Sequence, residues 1–136
     1  VNEIQFNKGK RENMKLIITT ASSSIDAAFD QRFGRCAYFL VIDSETMHWE
    51  AFPNPGIDAP GGAGTRAAQF AVDKQVSAVI SGNFGPNASS ALNAAGISMY
   101  MNKTQGSVRD IIASFKAGQL TQVNAPTVKA SHSPQG

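Results

Sequence analysis

The chain has a single cysteine, Cys36. One thiol cannot close an internal disulfide, which excludes a secreted scaffold built on cystines. Nor can it supply the roughly four thiolates of an iron–sulfur cluster or the four spaced ligands of a structural zinc site. Histidine is as scarce: His48 and His132 lie far from each other and from Cys36. No run approaches the roughly 18 apolar residues of a membrane span, and residues 1–13 are polar, without the apolar core of a signal peptide. A dominant charge is missing too. Twelve Lys and Arg against ten Asp and Glu give +2, too little to argue for nucleic acid or an anionic membrane. A cytoplasmic protein without nucleic-acid or membrane partners is the expectation.

What remains is a globular composition, 42% hydrophobic and 16% charged over 136 residues, enough for one domain with a real core. Residues 1–13 are expected to be an extension foreign to the domain, because the first strong β pattern follows Met14. The domain then runs over 14–121, and 122–136, rich in Ser, Pro, Thr and Gln, reads as a mobile tail.

Inside the domain, KLIITT (15–20), AYFLVID (37–43), HWEAF (48–52), SAVIS (77–81) and ISMYM (97–101) read as strands, the second and third as a hairpin. NPGIDAPGGAG (54–64) is loop. Helical spacing begins at Thr65, with Ala67, Phe70, Ala71 and Lys74 on one face. A second helix starts with Pro86 in its first turn and ends at Gly96, and a third carries Val108, Ile111, Ile112 and Phe115 before Gly118. The order βββαβαβα predicts an α/β fold with a mixed five-stranded sheet and helices on both faces. Ligands of such sheets favour the C-terminal ends of parallel strands. The loops there are 21–29, GNFGPN (82–87) and NKTQG (102–106).

Three segments, FDQRFGRCAYFLVID (29–43), 61–88 with GGAGTRA and GNFGPNA, and GISMYMNKTQGSVRDIIASFKAGQL (96–120), together resemble the dinitrogenase iron–molybdenum cofactor biosynthesis family. The likeness spans Met14 to Leu120. Size and cysteine poverty are most similar to its orange-protein branch from sulfate-reducing bacteria. The resemblance implies a ribonuclease-H-like fold and the binding or carriage of a molybdenum cluster. That cluster is a molybdenum–copper–sulfide in the orange-protein branch, and an iron–molybdenum–sulfur cofactor or precursor in the nitrogenase branch. It also implies partners such as MinD-type ATPases.

A thiomolybdate-type cluster brings its own sulfides, so the protein has only to hold a large soft anion. Helix starts and glycine-rich turns present N–H donors for that purpose. Gly62 and Gly64 precede one helix; Gly82, Asn83, Phe84, Gly85 and Asn87 lead into the next. Arg32, Arg35, Arg66 and Lys103 can supply positive charge, and Ile25, Phe33 and Phe84 an apolar wall for weakly hydrated sulfide. Each has a plainer reading. Gly85-Pro86 can simply start a helix, and the arginines can be solvated loop charges. Cys36 can be an inert core thiol or a soft ligand, and Met99 and Met101 core residues or copper ligands. His48 reads as an exposed hairpin residue and His132 as part of the tail. Residue GxGxxA in GGAGTRA follows a loop, which makes it a poor dinucleotide signal.

Three functions compete. The leading one is a non-enzymatic cluster carrier, monomeric or linked into a dimer by the cluster. The second is a nuclease, which would need converging carboxylates; strand KLIITT has none, and Asp26, Asp30 and Asp43 lie in separate segments. The third is an adaptor for a MinD-type ATPase, with cluster binding secondary.

Overall fold

The computed structural model describes residues 14–127. The calls on 1–13, His132 and the rest of 128–136 lie outside the described residues. Strands are β1 (Lys15–Thr20), β2 (Tyr38–Asp43), β3 (Trp49–Pro53), β4 (Ala78–Ser81), β5 (Ser98–Met101) and β6 (Thr121–Val123); helices are α1 (Ala63–Asp73), α2 (Pro86–Ala94) and α3 (Val108–Lys116). They form one sheet in the order β3-β2-β1-β4-β5-β6. β1 runs parallel to β4, and β4 to β5; the other neighbours are antiparallel.

β1 is the keel because both of its faces are covered. Leu16, Ile17 and Ile18 are all 0% exposed, and each such side chain contributes about 1.5–3 kcal/mol by burial. Successive residues of a strand face opposite ways. Ile17, Phe39, Val79 and Met99 therefore meet Ala67, Ala68 and Ala71 of α1 and Ala88 and Leu92 of α2. Leu16, Ile18, Leu40, Ile42 and Ile80 meet Val108, Ile111 and Ile112 of α3, with Ile25 and Phe29 from the loop after β1. Helices thus cover both faces, as expected from the element order.

The expected five strands are corrected to six. β6 pairs antiparallel with β5, Met99 opposite Val123 and Met101 opposite Thr121. It draws Gln122 and Val123 from the segment read as a tail. Its three residues offer one apolar side chain, Val123, to the core, too little to form a periodic signal. α1 also begins earlier than its apolar pattern, at Ala63. Gly62 adopts a left-handed conformation (φ 76°) that turns the chain into the helix.

Candidate functional site

β1, β4 and β5 end on the same side of the sheet, and the loops that follow them meet there. The first doubles back across the strand ends. The Asp30 N–H donates to the Thr19 carbonyl at 3.1 Å, the Gly82 N–H to the Gln31 carbonyl at 3.1 Å, and Arg32 forms a bridge with Asn83. The Phe29 N–H donates to the Gly106 carbonyl at 3.0 Å, tying in the third loop. Thr19 and Ser81 are fully buried polar residues at the strand ends. Burial is tolerated because their hydroxyls are used: Thr19 donates to the Asp30 carbonyl, Ser81 to the Gln31 carbonyl at 3.3 Å, and the two oxygens lie 3.1 Å apart.

Three helices start at this end, and two of them lack a side-chain cap. α1 has Gly62 as its N-cap and α2 has Gly85, followed by Pro86. Neither has a side-chain cap or an acidic residue in its first turn. Among the described residues, the N–H groups of Thr65 and Asn87, both exposed residues, have no acceptor. α3 is built differently: Ser107 Oγ accepts the Asp110 N–H at 3.1 Å, and Asp110 adds a carboxylate to the first turn. The two uncapped starts are neighbours. A Cβ on Gly64 would lie 3.3 Å from Ala88 Cβ, and one on Gly34 would lie 3.1 Å from the Gly64 nitrogen. Two positive dipole ends side by side, each favouring an anion by about 0.3–1 kcal/mol, form an anion-receptive surface.

The sequence candidates divide around this surface. Arg32, Gly82 and Asn83 share the strip made by the Arg32–Asn83 bridge, and Gly62, Gly64, Gly85 and Asn87 belong to the two helix starts. Gly82 and Gly64, however, also serve intramolecular packing, Gly82 against Gln31 and Gly64 against Ala88. Arg32 is exposed and holds Asp30 in a bidentate pair, Nε–Oδ1 3.1 Å and Nη2–Oδ2 2.9 Å. Burial pushes the Asp30 carboxyl up, but the Arg32 side chain and N–H outweigh it and hold it below the usual range.

Arg35 donates to the carbonyls of Ile57 and Ala59 at 2.8 and 2.9 Å, so it clamps the loop before α1. The exposed Arg66 packs its stem on Gly56 of that loop, and Lys103 is exposed on the third loop. Phe33 and Phe84 pack with ring centres 5.5 Å apart and planes tilted by 47°, but are 2% and 0% exposed, inside the α1–α2 core. Ile25 packs in the core on the other face of the sheet. The three do not form one wall.

Cys36 is 0% exposed, and burial pushes its thiol up to about 12. Metal ligation and nucleophilic chemistry need the thiolate, so the inert reading fits its surroundings. Met99 lies in the core; Met101 is half-buried at the end of β5. His48 is exposed at the other end of the sheet, beside a groove of about 630 Å³ lined by Lys15, Asp43, Trp49, Phe52 and Lys74. The acids are dispersed. Asp26 pairs with Arg109 (2.9 Å), Asp30 with Arg32, and Asp43 accepts the N–H groups of Glu45 and Thr46. Among the described residues, no group of three or more His, Cys, Asp or Glu is placed to hold a metal ion.

Two residues escaped the sequence reading. Asn54, 3% exposed, donates through Nδ2 to the Gly34 and Cys36 carbonyls at 3.0 and 2.9 Å and accepts the Gly56 N–H at 2.9 Å. It fixes the loop before α1 to the loop before β2; the Asn-Pro-Gly turn was the available signal. Thr127 bonds both backbone groups of Phe84, and nothing in its polar surroundings marked it.

Fold and site together define a small α/β protein with an anion-receptive sheet end made by two glycine-capped helices. The sequence profile of the dinitrogenase iron–molybdenum cofactor family matches residues 14–118. The chain belongs to that family. It is similar to the apo form of the orange protein from Desulfovibrio gigas, with a TM-score of 0.81 and 32% identity over 85% of this chain and 97% of that one. A NifB-like protein from Thermotoga has a TM-score of 0.73 and 30% identity at the same coverage. An uncharacterised protein of Methanocaldococcus jannaschii is 32% identical over 91 residues, 65% of this chain and 76% of that one.

Proposed function

We propose that the chain binds and carries a pre-formed molybdenum-containing metal–sulfide cluster, held by hydrogen bonds and charge rather than by bonds from protein to metal. The observation that carries this reading is the contrast among helix starts. α1 and α2 lie side by side with glycine caps and no first-turn acid, whereas α3 in the same molecule has both a serine cap and an aspartate. The first-turn amides of α3 are all engaged, Val108 and Arg109 by the Ala27 and Ile25 carbonyls and Asp110 by Ser107 Oγ, whereas α1 and α2 keep open donors at Thr65 and Asn87. Family membership supplies the chemistry of the anion, and the full burial of Cys36 supports capture without thiolate ligation.

Within this proposal the cargo is a molybdenum–copper–sulfide cluster, on the likeness to the orange protein. The alternative is an iron–molybdenum–sulfur cofactor or its precursor, on the family description. The role is carriage or assembly, not catalysis; the dispersal of Asp26, Asp30 and Asp43 supports this against a two-metal nuclease. The proposal extends to a ribonuclease-H-like class for the first five strands, a cytoplasmic setting, and a monomer or cluster-linked dimer. It includes a MinD-type ATPase as the partner class. Among the described residues, no helix is long and apolar enough to cross a membrane.

The test is reconstitution of the protein with tetrathiomolybdate and copper(I). The expected result is a stoichiometric visible chromophore that stays with the protein through a desalting column. Colour that elutes wholly with the small molecules contradicts the proposal.

A further inference from the structure

The chain segment after β6 returns to the candidate site. The Asn124 carbonyl accepts from Asn93 Nδ2 of α2 at 3.0 Å. Three residues on, Thr127 reaches Phe84, just ahead of the α2 N-cap. Residues 124–127 thus run along α2 from its C-terminal part to its start. There the Thr127 Oγ1 accepts the Phe84 N–H at 2.7 Å, and the Thr127 N–H donates to the Phe84 carbonyl at 2.9 Å. Phe84 directly precedes Gly85, the N-cap of α2, so a neutral hydroxyl already holds the amide next to the open helix start.

We propose that Thr127 is an in-chain stand-in for the anionic cargo: it satisfies the Phe84 amide in the empty protein and is displaced when a sulfide anion binds, which releases the strap 124–127. This rests on the function proposed above and names its regulation. The physics is an exchange of acceptors. A partly buried N–H without an acceptor is costly, so the empty site needs a substitute. An anionic acceptor makes a stronger bond than a neutral hydroxyl, so cargo wins the exchange. What yields is weakly held. β6 has three residues at the sheet edge, and of these only Val123 packs against the core. Such a segment opens at low cost. Loading is thereby coupled to the release of residues 124–127 from α2, which gives a loaded protein a surface that an empty one does not present.

The experiment uses the full chain and tetrathiomolybdate alone as the probe. Thr127→Val keeps the shape of the side chain and the backbone bond but removes the oxygen. The expected result is binding about two- to tenfold tighter than wild type, since the hydroxyl both accepts the Phe84 N–H at 2.7 Å and donates, at 3.4 Å, to the Phe84 carbonyl, and the first bond is the one that competes with the anion. Thr127→Ser, which restores the hydroxyl, returns the affinity to the wild-type value. In the wild-type protein, hydrogen exchange of the Thr127 amide speeds up on loading. Unchanged or weaker binding by Thr127→Val, or greater protection of the Thr127 amide on loading, overturns the stand-in while leaving the anion site intact. Failure of every variant to bind the probe overturns the anion site, and the stand-in with it.

Discussion

At Gly82 an added Cβ would lie 2.3 Å from Gln31 Cβ and 2.7 Å from Gln31 Cα. The site's central turn is therefore held by a contact that no other residue type permits. Gly82→Ala has to push the 30–32 segment off the end of β4, and with it the Arg32–Asn83 bridge. The expected loss of stability is about 1–3 kcal/mol, the range for overpacking a tight interior, and chemical denaturation measures it. An unchanged midpoint would show that the loop gives way freely and that the strip is not rigid. The same contact gives Gly82 a packing role beside the ligand role read from the sequence. GNFGPN reads as a nest for an anion, yet its first glycine is required by Gln31, fifty-one positions earlier, a neighbour that only the fold reveals.

At the scale of elements, the helix starts carry the functional argument, and a single substitution separates capping from anion capture. Gly85 has an extended conformation, φ −78° and ψ 173°, which any residue adopts at an N-cap. Gly85→Asp places a capping carboxylate where the cargo's negative charge would sit. The helix gains its missing cap, so the thermal midpoint is expected to hold or rise. Retention of the tetrathiomolybdate–copper chromophore is expected to fall sharply, through repulsion and loss of open donors. Full retention by a folded Gly85→Asp protein would remove the α2 start from the site.

The elements themselves were largely legible. KLIITT and SAVIS are compact apolar runs and the α3 pattern is strongly periodic, and each is found within a residue or two of its reading. β6 was not legible, because an edge strand of three residues depends on the neighbouring β5 ladder and not on its own pattern. The apposition of the α1 and α2 starts was equally hidden, since it depends on how two helices cross at Gly64 and Ala88.

At the scale of the whole molecule, three carboxylates held below their usual range tie stability to acid, the exposed Asp26–Arg109 pair contributing little. The Arg109 side chain holds Asp26 below the usual range. In Asp30 the Arg32 bonds outweigh desolvation, and the Thr46 N–H leads the groups that lower Asp43. A depressed carboxyl stabilises the folded state above its unfolded pKa of about 3.9 and loses that contribution as pH falls through the lower folded value. Stability is therefore expected to be level from neutral pH down to about 4 and to decline below it. A denaturation midpoint that starts to fall near pH 6 would point to a different titrating group. Of the candidate site, its end of the sheet and its residue types were legible from strand order and glycine placement. The uses of Arg35, Phe33 and Phe84 were not, because clamping a loop or filling a core depends on tertiary neighbours.

The most direct measurement is an amide-resolved NMR titration of the full chain with tetrathiomolybdate and copper(I). The Thr65 and Asn87 amide resonances, at the open starts of α1 and α2, are expected to shift together and saturably at one equivalent, while those of His48 and Lys74 at the opposite end of the sheet stay fixed. Saturable shifts confined to the Lys74 end, or none at Thr65 and Asn87 while the chromophore is retained, would contradict capture by the paired helix starts.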